Sequence, residues 1–276
     1  MIRKLLTVAA ALALLAPIAS AQTLDEVLAK HFEAQGGLAK LKALNTIRMT
    51  GKMTIGPGME APIVMEKARP NKTRMDFTVQ GMTGTQAYDG KGGWMMMPFG
   101  GKKDAEPMPE EMVKQMEEDA DFDGPLLDWK AKGHTVELLG KEETEGAEAY
   151  KLKITLKSGS VTTYYIDADS YLLIKTESKR RMRGTEVDGE SSIGDYKTVE
   201  GCVFPFAMEM GSKGSTQKQK LTIEKIEVNP SLDMKRFDMP AVTKADSTSA
   251  APAKAAETKP ATKPAPAKAA AKTDKK

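Results

Sequence analysis

The chain has 276 residues, 40% of them hydrophobic and 29% charged, with 18 Met, two Trp, one Cys and a formal net charge of +3. A single cysteine, Cys202, excludes an internal disulfide framework and reads as a small buried hydrophobe. The positive charge sits at the ends: Arg3 and Lys4 give +2 and residues 241–276 give +5, leaving 22–240 at −4, which disfavours nucleic-acid binding because a phosphate-tracking surface needs a basic face.

Met1-Ile2-Arg3-Lys4, an apolar run from Leu5 to Ile18 and Ala19-Ser20-Ala21 together have the form of a secretory signal peptide, residues 1–21, cleaved after Ala21. With no cysteine at that site and no other long apolar stretch, the mature protein is expected to be exported, soluble and not itself a lipoprotein.

Thr23-Leu24-Asp25-Glu26 is a capping box that starts a helix carrying Val27, Leu28 and Phe32. Gly36-Gly37 interrupts it, and Leu38, Leu41 and Leu44 mark a second, short helix. From Thr46 the period changes to two, with Ile47, Met49, Met53 and Ile55 on one side of a strand. Further strands are expected near 61–68, 73–80, 83–89 and 92–97, with Met75, Phe77 and Val79 alternating against Arg74, Asp76 and Thr78.

Residues 107–131 break the alternation. Pro109, Glu110 and Glu111 favour a helix start, and Met108, Met112, Val113 and Met116 form one stripe; Pro125 would open another short helix containing Leu126, Leu127 and Trp129. Strands then resume near 150–156, 161–166, 171–179, 185–197, 203–210 and 217–228, with a bulge between Ile223 and Ile226 where the apolar phase slips. Roughly ten or eleven antiparallel strands are too many for a flat sheet, so a mainly β, unclosed antiparallel barrel with an N-terminal helix and short lid helices is expected over 22–240. Residues 241–276, rich in Lys, Ala and Pro, lack the apolar content for a core and read as a disordered basic tail able to touch an anionic membrane peripherally.

Catalytic chemistry finds no foothold. His31 and His134 lie far apart in sequence, and neither a G-x-S-x-G nor an H-E-x-x-H motif occurs. Gly84–Lys91 imitates a phosphate loop, but Gly92 stands where Ser or Thr should follow. Asp119-Ala120-Asp121-Phe122-Asp123-Gly124 matches the first half of a calcium loop, yet Lys130 occupies the position of its bidentate Glu, so the run reads as an acidic link. No catalytic residue, metal or cofactor is expected.

Methionine is unevenly spread: twelve of eighteen lie between 49 and 116. Ordinary core filling, a deformable apolar cavity and thioether binding of Cu(I) all use methionine, and the last is weakest because no His or Cys sits among them. On the second reading, Met75, Phe77, Val79, Trp94, Met96 and Phe99 line the cavity, and Met112 and Met116 form its movable cover.

The run Ala68-Arg69-Pro70-Asn71, then Asp89-Gly90-Lys91, Trp94 and Pro98-Phe99, closing with Phe237-Asp238-Met239-Pro240, resembles the LolA-like periplasmic lipoprotein carriers. The resemblance implies a half-barrel with short helices as a lid over an apolar cavity, a periplasmic location, and Arg69 in the place that fastens the lid. It also implies a non-enzymatic carrier or binding protein for acyl chains, such as those of outer-membrane lipoproteins or other lipid. The rival expectation is an envelope sensor or scaffold of the same fold that docks a protein partner. The chain departs from the carriers in its longer body, its Met-rich front half and its Lys/Ala/Pro tail.

Overall fold

The computed structural model of the protein describes residues 22–101, 104–182 and 185–241; the expected signal peptide and all but the first residue of the tail lie outside them. Helix α1 (Leu24–Ala34) begins as its capping box requires, the Thr23 amide donating to Glu26 Oε2 (2.8 Å) and the Glu26 amide to Thr23 Oγ1 (3.3 Å). Gly36 and Gly37 then turn the chain at positive φ, and Gly36 lies so close to the Gly201 carbonyl that a Cβ would stand 2.3 Å from its oxygen. Short α2 (Leu38–Ala43) follows.

Thirteen strands form one antiparallel sheet: β1 (Thr46–Gly56), β2 (Met59–Ala68), β3 (Lys72–Val79), β4 (Met82–Tyr88), β5 (Gly93–Met96), β6 (Glu106–Pro107), β7 (Thr135–Thr144), β8 (Ala147–Thr155), β9 (Val161–Asp167), β10 (Leu173–Met182), β11 (Thr185–Val199), β12 (Cys202–Ser212) and β13 (Gln219–Val228). Their spatial order is 6-5-4-3-2-1-13-12-11-10-9-8-7. The chain steps outward from β1 to one edge, crosses through helix α3 (Glu110–Ala120), and steps inward from the other edge to β13 beside β1. The edges β6 and β7 do not pair, so the barrel is unclosed as expected.

Two strands beyond the expected eleven are β6 and β7. The alternation of Val136 and Leu138 in β7 is broken by a register shift before Gly140, and most of its other side chains are exposed. The bulge expected in β13 is present, since Thr50 pairs with Lys225 but Gly51 with Ile223. The helix expected from Pro125 is absent: 122–133 is a chain of turns, with positive φ at Gly124 and Asp128. Leu126 and Leu127 are buried all the same.

Antiparallel partners share a face, so register assigns every side chain to one of two surfaces. The inner face carries all three helices. On it, Ile47, Met53, Ile63, Phe206, Leu221, Ile223 and Ile226 make the central core, and Val27 and Leu28 of α1 pack on Val136, Leu152, Ile154 and Ile166 at the β7–β9 end. The outer face of β2–β5 is covered by the C-terminal 3-10 helix Met234–Phe237, whose Phe237 is fully buried near Ala68 and Leu232.

Candidate functional site

Across β1–β5 the inner face is a grid. Its first row reads Ile47, Lys67, Thr73, Tyr88, Gly93; the second Met49, Met65, Met75, Gln86, Met95; the third Gly51, Ile63, Phe77, Gly84. Four thioethers thus stand in one row across five strands, with Gln86 between Met75 and Met95. Most of these side chains are only half-buried, and Met49, Met65 and Phe77 flank the central core rather than belong to it. Phe99 folds back onto this face, its ring 5.5 Å from that of Phe77, and the two rings fill the space above Gly84, where a Cβ would meet them at 2.6 and 2.8 Å.

Met75, Phe77, Val79 and Phe99 therefore share one face, whereas Trp94 and Met96 do not. Trp94 pairs with Ala87, in line with Arg74, Glu66 and Arg48, and Met96 pairs with Thr85 in line with Asp76, so both are on the outer face. The expected six-residue lining is corrected accordingly: an even offset is needed to share a face, and Trp94 and Met96 are out of phase with inner Gly93 and Met95. Buried Trp94 instead donates from Nε1 to the Phe237 carbonyl (2.8 Å), beneath the Arg74 guanidinium. Arg236 joins the same cluster, 3.3 Å from Glu66 Oε2 and 3.2 Å from Asp76 Oδ2, while Arg48 Nε donates to Glu66 Oε1 (2.9 Å). These ion pairs fasten the C-terminal turn to the sheet. The sequence shows each residue but not the register that collects them.

Helix α3 crosses the inner face. Its approach is anchored where the Met108 amide donates to the Gly93 carbonyl (2.9 Å), with Val113 close above Gly93. Its far end is held several times: Glu118 Oε1 accepts from Ser158 (2.6 Å) and Ser160 (2.7 Å), Lys67 Nζ donates to the Asp119 carbonyl (2.9 Å), and the Phe122 amide donates to the Pro70 carbonyl (3.2 Å). Between these anchors Met112, Val113 and Met116 are half-buried, and Ala120 is the one fully buried side chain of the helix. An amphipathic helix tied at both ends, with a methionine stripe outside the packed clusters, resembles a strap more than a core element.

Arg69 stands at the second anchor. It pairs with Asp123, donates to the Leu44 carbonyl and, from Nη2, to the Leu41 carbonyl (3.0 Å), and its guanidinium lies 4.7 Å from the Phe122 ring centre. The acidic run that imitates a calcium loop is thereby accounted for: Asp121 takes Lys132 (2.5 Å), Asp123 takes Arg69, and Asp119 offers its carbonyl to Lys67. Burial pushes the Lys67 ammonium below its ordinary range, opposed by Asp119 and Asp121.

The remaining titratable candidates are structural. His31 Nδ1 lies 2.7 Å from the Tyr171 carbonyl, and burial lowers its pKa, while His134 Nδ1 accepts from the Lys157 amide (3.0 Å). Burial raises the Cys202 thiol, keeping it protonated in the core. Two open concavities stand out among the described residues, one of about 510 Å³ at the tips of β1–β3 (Ile55, Met59, Pro62, Val79) and one of about 340 Å³ at the β7–β8 turn. Neither lies behind α3. No described helix is long and apolar enough to cross a membrane.

No family model matches the chain, and no curated protein matches it in sequence. Its fold, however, is shared with solved structures. A domain from Vibrio parahaemolyticus named for outer membrane lipoprotein sorting is 14% identical with a TM-score of 0.53, over 76% of this chain and 97% of that one. A LolA superfamily protein from Nitrosomonas europaea is 14% identical (TM-score 0.52; 79% and 98%), and a DUF1329 family protein from Desulfovibrio piger is 12% identical (TM-score 0.55; 78% and 96%). The architecture is LolA-like.

Proposed function

We propose that this LolA-like sheet serves an exported, periplasmic, non-enzymatic binding protein or carrier for acyl chains, with 1–21 removed as a signal peptide and the basic segment 241–276 touching anionic membrane. The observation that carries the reading is the methionine row Met49, Met65, Met75 and Met95, half-exposed on the face that α3 crosses. Each buried methylene is worth about 0.8 kcal/mol, so hydrocarbon in water needs such a surface, and flexible thioethers adapt to it. Met75, Phe77, Val79 and Phe99 belong to the contact surface, Met112 and Met116 to the cover, and Arg69 to its fastening. The name of the Vibrio domain makes the acyl chains of outer-membrane lipoproteins one candidate cargo.

Replacing both Met112 and Met116 by Asp is expected to weaken binding of a fluorescent fatty acid at least tenfold while leaving the β circular-dichroism signal intact. Unchanged affinity would remove α3 from the site.

A second reading, an envelope sensor or scaffold docking a protein partner, takes the open apolar concavity at the tips of β1–β3, away from α3, as its docking place. Native mass spectrometry of protein taken from its own envelope separates the two: copurified lipid favours the carrier, a stoichiometric protein the scaffold.

A further inference from the structure

The inner face of β1–β5 is uncharged with one exception. Among the side chains that register places there, from Ile47 to Met95, only Lys67 carries a charge. Its row is also the polar one, with Thr73 and Tyr88 beside it, whereas the rows beyond hold the methionines and then Ile63 and Phe77. The face therefore has one cationic end and one hydrocarbon end.

A lysine in such a place needs an acceptor, because desolvating an ammonium without a partner is costly. In the closed arrangement the Asp119 carbonyl at the end of α3 supplies it, at 2.9 Å. An ammonium has three donors; of the two acids whose charge acts on it, Asp119 and Asp121, the second is held by Lys132 at 2.5 Å. Lifting α3 would take that carbonyl from Lys67 and leave the ammonium at the head of an apolar track. Lys67 pairs with Thr73, and from Thr73 to Val79 the half-buried side chains of this face run six residues along β3, about 20 Å at the rise of a strand. One leaflet of a bilayer's hydrocarbon core is about 15 Å thick, so a membrane-derived acyl chain fits along it.

We propose that this face takes a single-tailed anionic lipid, a free fatty acid, its carboxylate on the Lys67 ammonium and its chain along β3 past Met75 and Phe77 toward Val79. This rests on the acyl-binding reading and narrows it, since a neutral glyceride or a lipoprotein's acylated end gives the ammonium no anion. It also gives the cover a chemical trigger: the carboxylate replaces the Asp119 carbonyl, so cargo and α3 compete for one cation.

The test compares palmitate with uncharged 1-palmitoylglycerol on the exported full-length chain, by calorimetry at neutral pH. Palmitate is expected to bind at least tenfold more tightly, with affinity rising about fourfold per methylene until the track is filled. Lys67→Met should cut the preference for palmitate over palmitoylglycerol tenfold or more, and Lys67→Arg should keep the preference. Circular dichroism checks the fold, with Lys67→Gln replacing a Met variant that does not fold. Equal affinities on the unaltered chain overturn the inference and leave the acyl reading standing. Equal weakening of both ligands by Lys67→Met also overturns it, reducing the lysine to a support for α3. Binding of neither ligand removes the acyl reading itself.

Discussion

Arg69 makes its contacts to segments on either side of it, the end of α2 and the link after α3, through one guanidinium. Charged hydrogen bonds of this kind are worth about 1.5–3 kcal/mol each when partly buried. Arg69→Ala should therefore loosen the link after α3 by about 2 kcal/mol, seen as roughly 30-fold faster hydrogen exchange at the Phe122 amide, with exchange in β8 and β9 unchanged. Asp123→Asn keeps an acceptor in place and should have a smaller effect. Arg69 stood out in the sequence through its Arg-Pro-Asn setting, but its partner was hidden in a run that spells a calcium loop. What decided the role of those acids was which cations the fold delivered to them: Lys132, Arg69 and Lys67 approach from elsewhere in the chain. Trp94 illustrates the opposite case, where the residue type invited a place in the apolar cavity and a shift of one position in phase put it on the other surface.

Among the elements, strands with clean alternation were legible, because a period of two leaves little freedom about which side chains share a face. The half-barrel from β1 to β5 could thus be drawn from the sequence nearly to its ends. Strand β7 could not, since its bulge interrupts the pattern and its edge position leaves few apolar side chains to mark it. The turns at 122–133 were misread because buried Leu126 and Leu127 look helical when the left-handed backbone at Gly124 and Asp128 is unseen. The seam between β1 and β13 depends on Gly51, at the bulge, where a Cβ would stand 2.1 Å from the Thr222 carbonyl oxygen. That obstacle is backbone, not a movable side chain. Gly51→Ala should cost about 3 kcal/mol, lowering the thermal midpoint by roughly 10 °C, while Gly92→Ala, with nothing within 4 Å of the added carbon, should change it far less.

For the whole molecule, the count and pairing sense of the strands were enough to anticipate an open curved sheet, and the short helices gave it a cover. The order in which the strands lie was not readable, because nothing local in β1 or β13 announces that residues some 180 positions apart are neighbours. That adjacency divides the described fold into two contiguous pieces of chain, one ending with α3 and its link, the other beginning at β7. Residues 47–53 clasp 221–228 along the middle, and α1 from the first piece fills the core of the second. Cutting the peptide bond after exposed Lys130 would sever the one covalent crossing between them and leave both clasps intact. The nicked protein should elute as a single particle in size exclusion and fall into two fragments only under denaturing electrophoresis. Coexpressed halves should likewise find each other, which makes this scaffold a natural candidate for split-protein complementation.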